Sequence, residues 1–499
     1  MTLPINLYTV SKLQDETIFN TIVSQKSQAK FKTNSRIHEI EYLKIFVDLL
    51  LKNGISIELL DDFYFGFKIP QIGKEFDILK FSNNSCLNIE LKSQAVEKSR
   101  ILKQLQINYH YLKHLGKKLN IFSVNTESME FVKLSDDNKL VDTDITDIID
   151  EIKRHENSSF DIDELFKANK YLVSPLNTPQ KFLLGEYYLT QQQEEFKRLI
   201  LEDISSTKLH PFFHITGNPG TGKTLLLYDL AVELSKADKT LIIHCGICPP
   251  EIKTISDNVD NLEIIPASRL RNADFELSNY RYILVDESHR IHLEHFHFIL
   301  DKITPHENIC IFSSDANQVL SEIEIKSDVV GKIKKLSEIA ELNLSNKIRM
   351  SDELNSFVNK LFDLKRIKET SFKYSNVDLC FASDIDETKK LIEYFRNKGY
   401  IFINYTKSNK SFSPFSNFNE DFDNHHVIGQ EFDKVLMLMG PSFYYDDNMC
   451  LQAKPHPDPN YLYRNLLFQG LTRAREKIAI IVIDNMELMN NIAKILESE

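Results

Sequence analysis

Seven short runs in the later part of the chain, FFHIT, TLIIHC, YILVDES, NICIFSS, YIFINYT, KVLMLMG and IAIIVID, are apolar almost throughout instead of alternating with polar residues. Strands of that kind must be covered on both faces, which a parallel sheet flanked by helices provides. Helix-like stretches separate the runs, and strand and helix alternate from about residue 180 to the end. That is the pattern of a doubly wound parallel sheet, or of two. No unit repeats at a fixed period.

The chain has 499 residues, too many for one core, and ~150 residues per domain suggests about three domains. A net charge of -12 argues against a protein that coats nucleic acid by bulk electrostatics, though not against a local basic channel. The acidic run VDTDITDIIDE, Val141 to Glu151, reads as a solvated helix or linker. The cysteines, at positions 86, 245, 248, 310, 380 and 450, are scattered as reduced thiols are. Their one close pair, CGIC, lacks the further soft ligands that zinc needs. The N-terminus MTLPINLYTV has no signal-peptide pattern, and no apolar run approaches the ~20 residues that cross a bilayer. The expectation is a cytoplasmic protein with no membrane partner.

The most specific motif is GNPGTGKT, Gly217 to Thr224, lying directly after the strand FFHIT and before a helix. In a loop of this spelling Gly217, Gly220 and Gly222 let backbone N–H groups wrap phosphates, Lys223 reaches the β and γ groups, and the Thr224 hydroxyl faces Mg²⁺. Downstream, YILV ends in DESH, which puts Asp286 and Glu287 at the carboxyl end of a strand, where parallel sheets place their ligands. Asp286 is the expected Mg²⁺ ligand, and Glu287 the group that orients an attacking water. ATP and Mg²⁺ are the cofactors these residues imply.

From about Gly185 onward the motifs resemble those of superfamily 1 helicases. LTQQQ resembles the glutamine motif, which implies that Gln193 reads adenine. SSDANQ is similar to motif III, with Gln318 as γ-phosphate sensor; NKIRM and LFQGLTRARE resemble motifs IV and VI, with Arg349 and Arg473 crossing the cleft to the transferring phosphoryl group. HHVIGQEFDKVLML resembles motif V and makes Glu431 a cleft residue. Motif III has Ser314 where a glycine is usual, and neither this nor the FQGLT spelling of motif VI removes a charged group. The motor also resembles the short helicase-like ATPase domains of bacterial defence proteins and of long Schlafen proteins.

The first third reads differently. TNSRIHEIEYLKIFVDLLLKNG is a helix pattern ending before Gly54; the strand-like FYFGFKI, EFDILKF and CLNIELK follow, then a helix and the strand LNIFSV. Asp77 lies in the second of these strands, while Glu90 and Lys92, two apart, share one face of the third. Two carboxylates converging from adjacent strands can bind Mg²⁺, and a lysine beside them can activate water or stabilise a crowded phosphate. Asp77, Glu90-x-Lys92, this element order and Gln104 on the following helix resemble the PD-(D/E)xK nuclease family over about residues 35 to 124. The resemblance implies Glu41 as a further metal ligand, Gln104 as a site residue, and Mg²⁺ or Mn²⁺ as the ion. A second cluster of possible ligands, HLEHFH at His292 to His297, reads as packing and surface histidine.

The expected fold is therefore α/β: a restriction-endonuclease-like αβββαβ domain over 1–125, an acidic linker over 126–180, and two RecA-like parallel-sheet lobes over 181–335 and 336–499. The expected activity is Mg²⁺-dependent cleavage of nucleic acid, DNA in preference to RNA, coupled to an ATP-driven motor, with antiphage defence as the role implied by resemblance. Alternatives are an ATP-gated RNA-cleaving enzyme of Schlafen character, and a nucleotide-switch binding protein with an inactive nuclease fold.

Overall fold

Thr126 to Arg154, expected as linker, instead completes a sheet. The computed structural model describes residues 2–13, 18, 37–69, 72–92, 96–155, 160–166, 173–206, 210–272, 275–315, 318–345, 350–369, 372–406, 415, 417–454 and 461–497. It divides into two units, Met1–Tyr171 and Leu172–Glu499.

In the first unit the helices α1 (Leu7–Ser11) and α2 (Ile37–Lys52) precede strands β1 (Phe63–Lys68), β2 (Glu75–Phe81) and β3 (Ser85–Lys92). Helix α3 (Lys98–Leu112) then crosses to β4 (Lys118–Asn125), and β5 (Glu130–Leu134), β6 (Leu140–Thr143) and α4 (Ile145–Arg154) follow. The sheet order is β1-β2-β3-β4-β5-β6, antiparallel except for the parallel pair β3/β4. A parallel pair needs a crossover, and α3 is that crossover. The expected order of helix, three strands, helix and strand is present.

The acidic run Val141 to Glu151 forms β6 and an amphipathic helix. Asp144 caps α4 by accepting from Thr146 and Asp147 N–H. Ile148, Ile149 and Ile152 enter the core beside Leu43, Phe46 and Leu87. The acidic residues mark the exposed face, except Glu151, which is buried and accepts from Asn120 Nδ2 at 2.8 Å; the isoleucines between them set the fold.

The second unit contains two parallel sheets. The first has strands β7 (Phe212–Gly217), β8 (Thr240–His244), β9 (Leu262–Pro266), β10 (Tyr282–Asp286), β11 (Ile309–Ser314) and β12 (Ile339–Leu344), in the order β12-β7-β11-β10-β8-β9. Helix α5 (Gln191–Ile204) precedes β7, α6 (Lys223–Ser235) follows it, and α7 (Leu293–Lys302) lies between β10 and β11. Because β12 pairs with β7 through Leu344↔Gly217, this lobe runs past the expected limit at 335. The second sheet has the order β13-β19-β16-β14-β15, built from β13 (Val377–Ala382), β14 (Ile401–Asn404), β15 (Phe422–Asp423), β16 (Phe432–Met439) and β19 (Ala474–Ile483); a hairpin of β17 (Phe443–Tyr445) and β18 (Leu451–Ala453) lies beside it. Val435 to Met439 and Ile478 to Val482 are fully buried, as central strands covered on both faces are.

The role of α4 is testable. Ile152 is fully buried, so Ile152→Ala should destabilise the first unit by ~2–5 kcal/mol. Chemical denaturation of the full chain should show an earlier first transition, whereas a linker residue would leave the profile unchanged.

Candidate functional site

In the second unit, β7 delivers the chain into the phosphate loop at Gly217. A Cβ there would come within 2.7 Å of Thr221 Oγ1 and 2.8 Å of the Leu344 carbonyl, so only hydrogen fits. Gly220 and Gly222 both have left-handed backbones, with φ of 80° and 78°. Gly222 turns the loop directly into α6, whose first residue is Lys223. The Lys223 Nζ donates to the Gly217 carbonyl at 2.8 Å and the Asn218 carbonyl at 3.1 Å, and lies 3.5 Å from Asp315 Oδ2. These oxygens occupy the lysine as phosphate oxygens would.

Gln193 closes the loop from behind. Its Oε1 accepts from Thr190 N–H at 2.7 Å, and its Nε2 donates to the Thr221 and Gly222 carbonyls at 3.0 and 3.1 Å. With Thr190 it forms a capping box at the start of α5. The amide thus braces the phosphate loop.

Asp286, at the end of β10, is fully buried. Its Oδ1 accepts from Ser313 Oγ at 2.7 Å and Thr224 Oγ1 at 3.4 Å, and its Oδ2 lies 3.4 Å from His244 Nδ1. Hydroxyl and carboxylate oxygens at this spacing are the hard donor set Mg²⁺ takes. Glu287 has a left-handed backbone, φ 54°, which is uncommon for a residue with a side chain and clusters at functional sites. Its N–H donates to Ser313 Oγ at 3.2 Å. Its Oε2 lies 3.3 Å from His289 Nε2 and 3.4 Å from Arg290 Nε.

Burial would push the Glu287 carboxyl up, but His289, Arg290, Lys223 and Arg473 outweigh it and hold the group well below the usual carboxylate range. His289 is itself pushed down to about 3, first by burial and then by Arg290. At neutral pH the ring is therefore uncharged and acts on Glu287 only through its nearby Nε2, while the full positive charges come from the lysine and the two arginines. The ring's Nδ1 accepts from Asp315 N–H at 3.2 Å, which leaves the proton on Nε2, toward Glu287.

The second sheet contributes Glu431 and Arg473 to the same cleft, and the segment after β11 of the first sheet contributes Gln318. Gln318, Glu431 and Arg473 line it together with Gly220, Lys223, Thr224 and Glu287. Arg473 is 1% exposed and donates to the Gln469 and Gln430 carbonyls at 3.3 and 3.4 Å. Glu431 Oε2 accepts from Arg475 Nε and Nη2 at 3.0 and 2.9 Å, and its backbone is clamped on both sides by Asn177 at 3.0 Å. Arg349 lies outside the described residues. Motif reading missed Asp315, Ser313, His244 and Asn177. Asp315 and Ser313 carried a signal, because they close an apolar strand as Asp286 does.

In the first unit, the register Ile78↔Ile89, continued by one step, sets Asp77 opposite Glu90 on one face. Asp77 Oδ2 accepts from Leu91 N–H at 2.9 Å. Glu90 is 3% exposed; its Oε1 accepts from Asn108 Nδ2 at 2.7 Å, and its Oε2 lies 3.5 Å from Lys92 Nζ. Gln104 Nε2 reaches Asn108 Oδ1 at 3.5 Å, so Gln104 meets the acid through Asn108. Lys74 is half-buried, and burial holds its amine below the usual range against the pull of Glu90 and Asp77. Neither Asn108 nor Lys74 was a sequence candidate, although Asn108 stands one helical turn after Gln104.

Glu41 is exposed on α2. Among the described residues no three His, Cys, Asp or Glu side chains gather to hold a metal ion, so Glu41 does not complete a triad with Asp77 and Glu90. The same holds for the histidines at 292–297. Among the described residues, no helix is long and apolar enough to cross a membrane.

Residues 210–402 match the family model described as Schlafen group 3, DNA/RNA helicase domain, and this segment is helicase-like. Among solved structures, the chain is similar to the arterivirus nonstructural protein 10 helicase, with 12% identity over 61% of this chain and 64% of that one and a TM-score of 0.32. It is also similar to a Pif1 helicase from Bacteroides in complex with ADP-AlF3 and single-stranded DNA, with 12% identity, 59% and 92% of the two chains, and a TM-score of 0.33. The chain thus spans under two thirds of the arterivirus protein. No curated protein matches the chain.

Asn108 provides a test of the first-unit arrangement. Asn108→Ala leaves the buried Glu90 short of a donor, an expected loss of ~1–3 kcal/mol. The first unit should unfold at lower denaturant, with the second unit's transition unmoved.

Proposed function

We propose that this chain is a nucleic-acid-dependent ATPase of the superfamily 1 helicase type, joined to a unit that cuts phosphodiester bonds. The observation that carries the motor reading is the meeting of Lys223, Thr224 and Glu287 from one lobe with Arg473 from the other in a single cleft, with Asp286 buried directly behind Thr224. Lys223 exchanges its two carbonyl partners for the β- and γ-phosphate oxygens of ATP. Thr224 and Asp286 would hold Mg²⁺, which when bound neutralises charge between those phosphates. Glu287 orients the attacking water and takes up its proton, while Arg473, with Arg349 by resemblance, stabilises charge on the transferring phosphoryl group. Gln318 would sense the γ-phosphate and Glu431 would face nucleotide and strand in the cleft, while Gln193, its buried amide already bonded to Thr190, Thr221 and Gly222, would support the nucleotide through the loop.

The reading extends to the first unit as a nuclease acting on DNA in preference to RNA. Asp77 and Glu90 would hold Mg²⁺ or Mn²⁺; one or two carboxylates plus substrate phosphate oxygens are a common Mg²⁺ environment. Lys92 and Lys74 face the phosphate, and Gln104 positions Glu90 through Asn108. The role we assign to the pair is destruction of invading phage nucleic acid.

A second reading has its own support. Both Glu90 oxygens already face partners, Asn108 and Lys92, as expected of a binding module that does not cut, with the motor as a nucleotide switch.

Lys223→Ala should lower ATP turnover by ~10²–10³-fold in a steady-state assay, with cleavage chemistry in the first unit retained. Retention of strand-stimulated ATPase by that variant would refute the motor assignment. Asp77→Ala and Lys92→Ala should abolish cutting of labelled single- and double-stranded DNA while ATP turnover persists. Cutting of RNA alone would replace the DNA assignment. No cutting by the wild type with either metal, together with nucleotide-dependent binding, would establish the switch.

A further inference from the structure

Both sheets of the second unit also line a cavity of about 420 Å³, bordered by Arg271, Arg290, His292 and His295 on one side and by His425 and Tyr461 on the other. Its volume falls within the ~300–1,000 Å³ usual for ligand sites. The wall is rich in donors that lack acceptors. Arg290 is 9% exposed, and neither Nη1 nor Nη2 has a hydrogen-bond partner. The carboxylate nearest Nη1, Glu324 Oε1, is 3.9 Å away.

His295 adds another donor. Its Nε2 faces Arg271 Nε at 3.0 Å, and burial together with Arg271 lowers its pKa, so the neutral ring accepts there and carries its proton on Nδ1. That buried N–H has no partner. His425 Nε2 is likewise buried without one. Each unmade bond of this kind costs ~1–3 kcal/mol, so several around one cavity point to a ligand rich in acceptors. Among the described lining residues Glu324 is the one carboxylate against two arginines, so that ligand is an anion. The rings of His425 and Tyr461, 5.1 Å apart and nearly perpendicular, offer apolar faces to a base.

Arg290 also reaches the other site. Its Nε lies 3.4 Å from Glu287 Oε2, and its backbone N–H donates to the Glu287 carbonyl at 2.9 Å in a tight turn. One guanidinium thus touches the water-orienting carboxylate through Nε, while its two Nη atoms make no hydrogen bond and belong to a residue of the cavity wall. We propose that Arg290 is a strand sensor: without nucleic acid it pins Glu287, and a phosphodiester in the cavity draws the guanidinium away and releases the carboxylate. This rests on the reading of the second unit as a nucleic-acid-dependent ATPase. The shift needs only a differential affinity: the strand binds the conformation in which Arg290 faces the cavity better than the one in which it faces Glu287. Arg290 acts through Glu287 and is a positioning residue.

The test is steady-state ATPase of the full chain with and without a single-stranded DNA oligonucleotide, for wild type, Arg290→Met and Arg290→Lys. Rates are normalised to titrated nucleotide sites, so a partly folded preparation does not distort them. Methionine keeps the apolar stem and removes the charge. Arg290→Met should raise the unstimulated rate several-fold and bring the ratio of stimulated to unstimulated rate close to unity; Arg290→Lys should lie between it and wild type. A wild-type ratio in Arg290→Met, or a ratio that falls only because the stimulated rate falls, overturns the sensor and leaves the ATPase reading in place. A wild-type ratio of unity, with turnover still dependent on Lys223, overturns the nucleic-acid dependence itself.

Discussion

The buried carboxylate of Asp286 is the point on which the second unit's arrangement turns. A polar group at zero exposure is tolerable only among partners, and here every partner comes from a different strand, loop or helix end. Ser313 approaches from β11, Thr224 from the first turn of α6, and His244 from the end of β8. The parallel register that pairs Asp286 with His244 and Val285 with Phe312 puts these groups at one end of the sheet. A slip of one residue would turn the carboxylate to the opposite face. Glu287, Arg290 and the cavity beyond them follow from that register, because the chain leaves β10 through the left-handed Glu287.

The same point ties the two lobes together. His244 is followed by a turn in which a Cβ on Gly246 would come within 2.7 Å of the His244 Nε2 and 2.9 Å of Ile428 Cγ2. Ile428 belongs to the turn that also carries Gly429 and Glu431. The close approach of these glycine turns lets a lobe whose sheet begins at residue 377 reach the cleft built on β7 and β10.

Two near-identical pentapeptides show how little spelling decides. In GKEFD and GQEFD the glycine is left-handed both times, with φ of 81° at Gly73 and 74° at Gly429, and each feeds a strand. The local conformation is therefore shared. The chemistry is not. Asp77 turns toward a neighbouring strand and accepts Leu91 N–H, whereas Asp433 is 52% exposed and the acid two residues before it pairs with Arg475. The lysine of the first copy stands in the field of Glu90 and Asp77; the glutamine of the second bonds back to the His426 carbonyl.

What could be read from the chain alone was local. Continuous apolar runs dictated parallel, doubly covered strands, because a backbone buried on both faces needs apolar side chains on both. The phosphate loop was legible because its glycines answer to backbone geometry within a few residues, and the acids after YILV because a parallel strand's carboxyl end faces its ligand. Residues brought together by packing were not legible. Thr126 to Arg154 looked like an acidic linker because its exposed carboxylates outnumber the isoleucines that hold it in the core. Asn108, Asp315, His244 and Arg290 acquire meaning only from what lies across from them, and Glu41 lost its expected place for the same reason. A strand's period is written in its own residues, whereas a contact between distant segments depends on register, crossover and helix rotation, which the folded chain alone fixes.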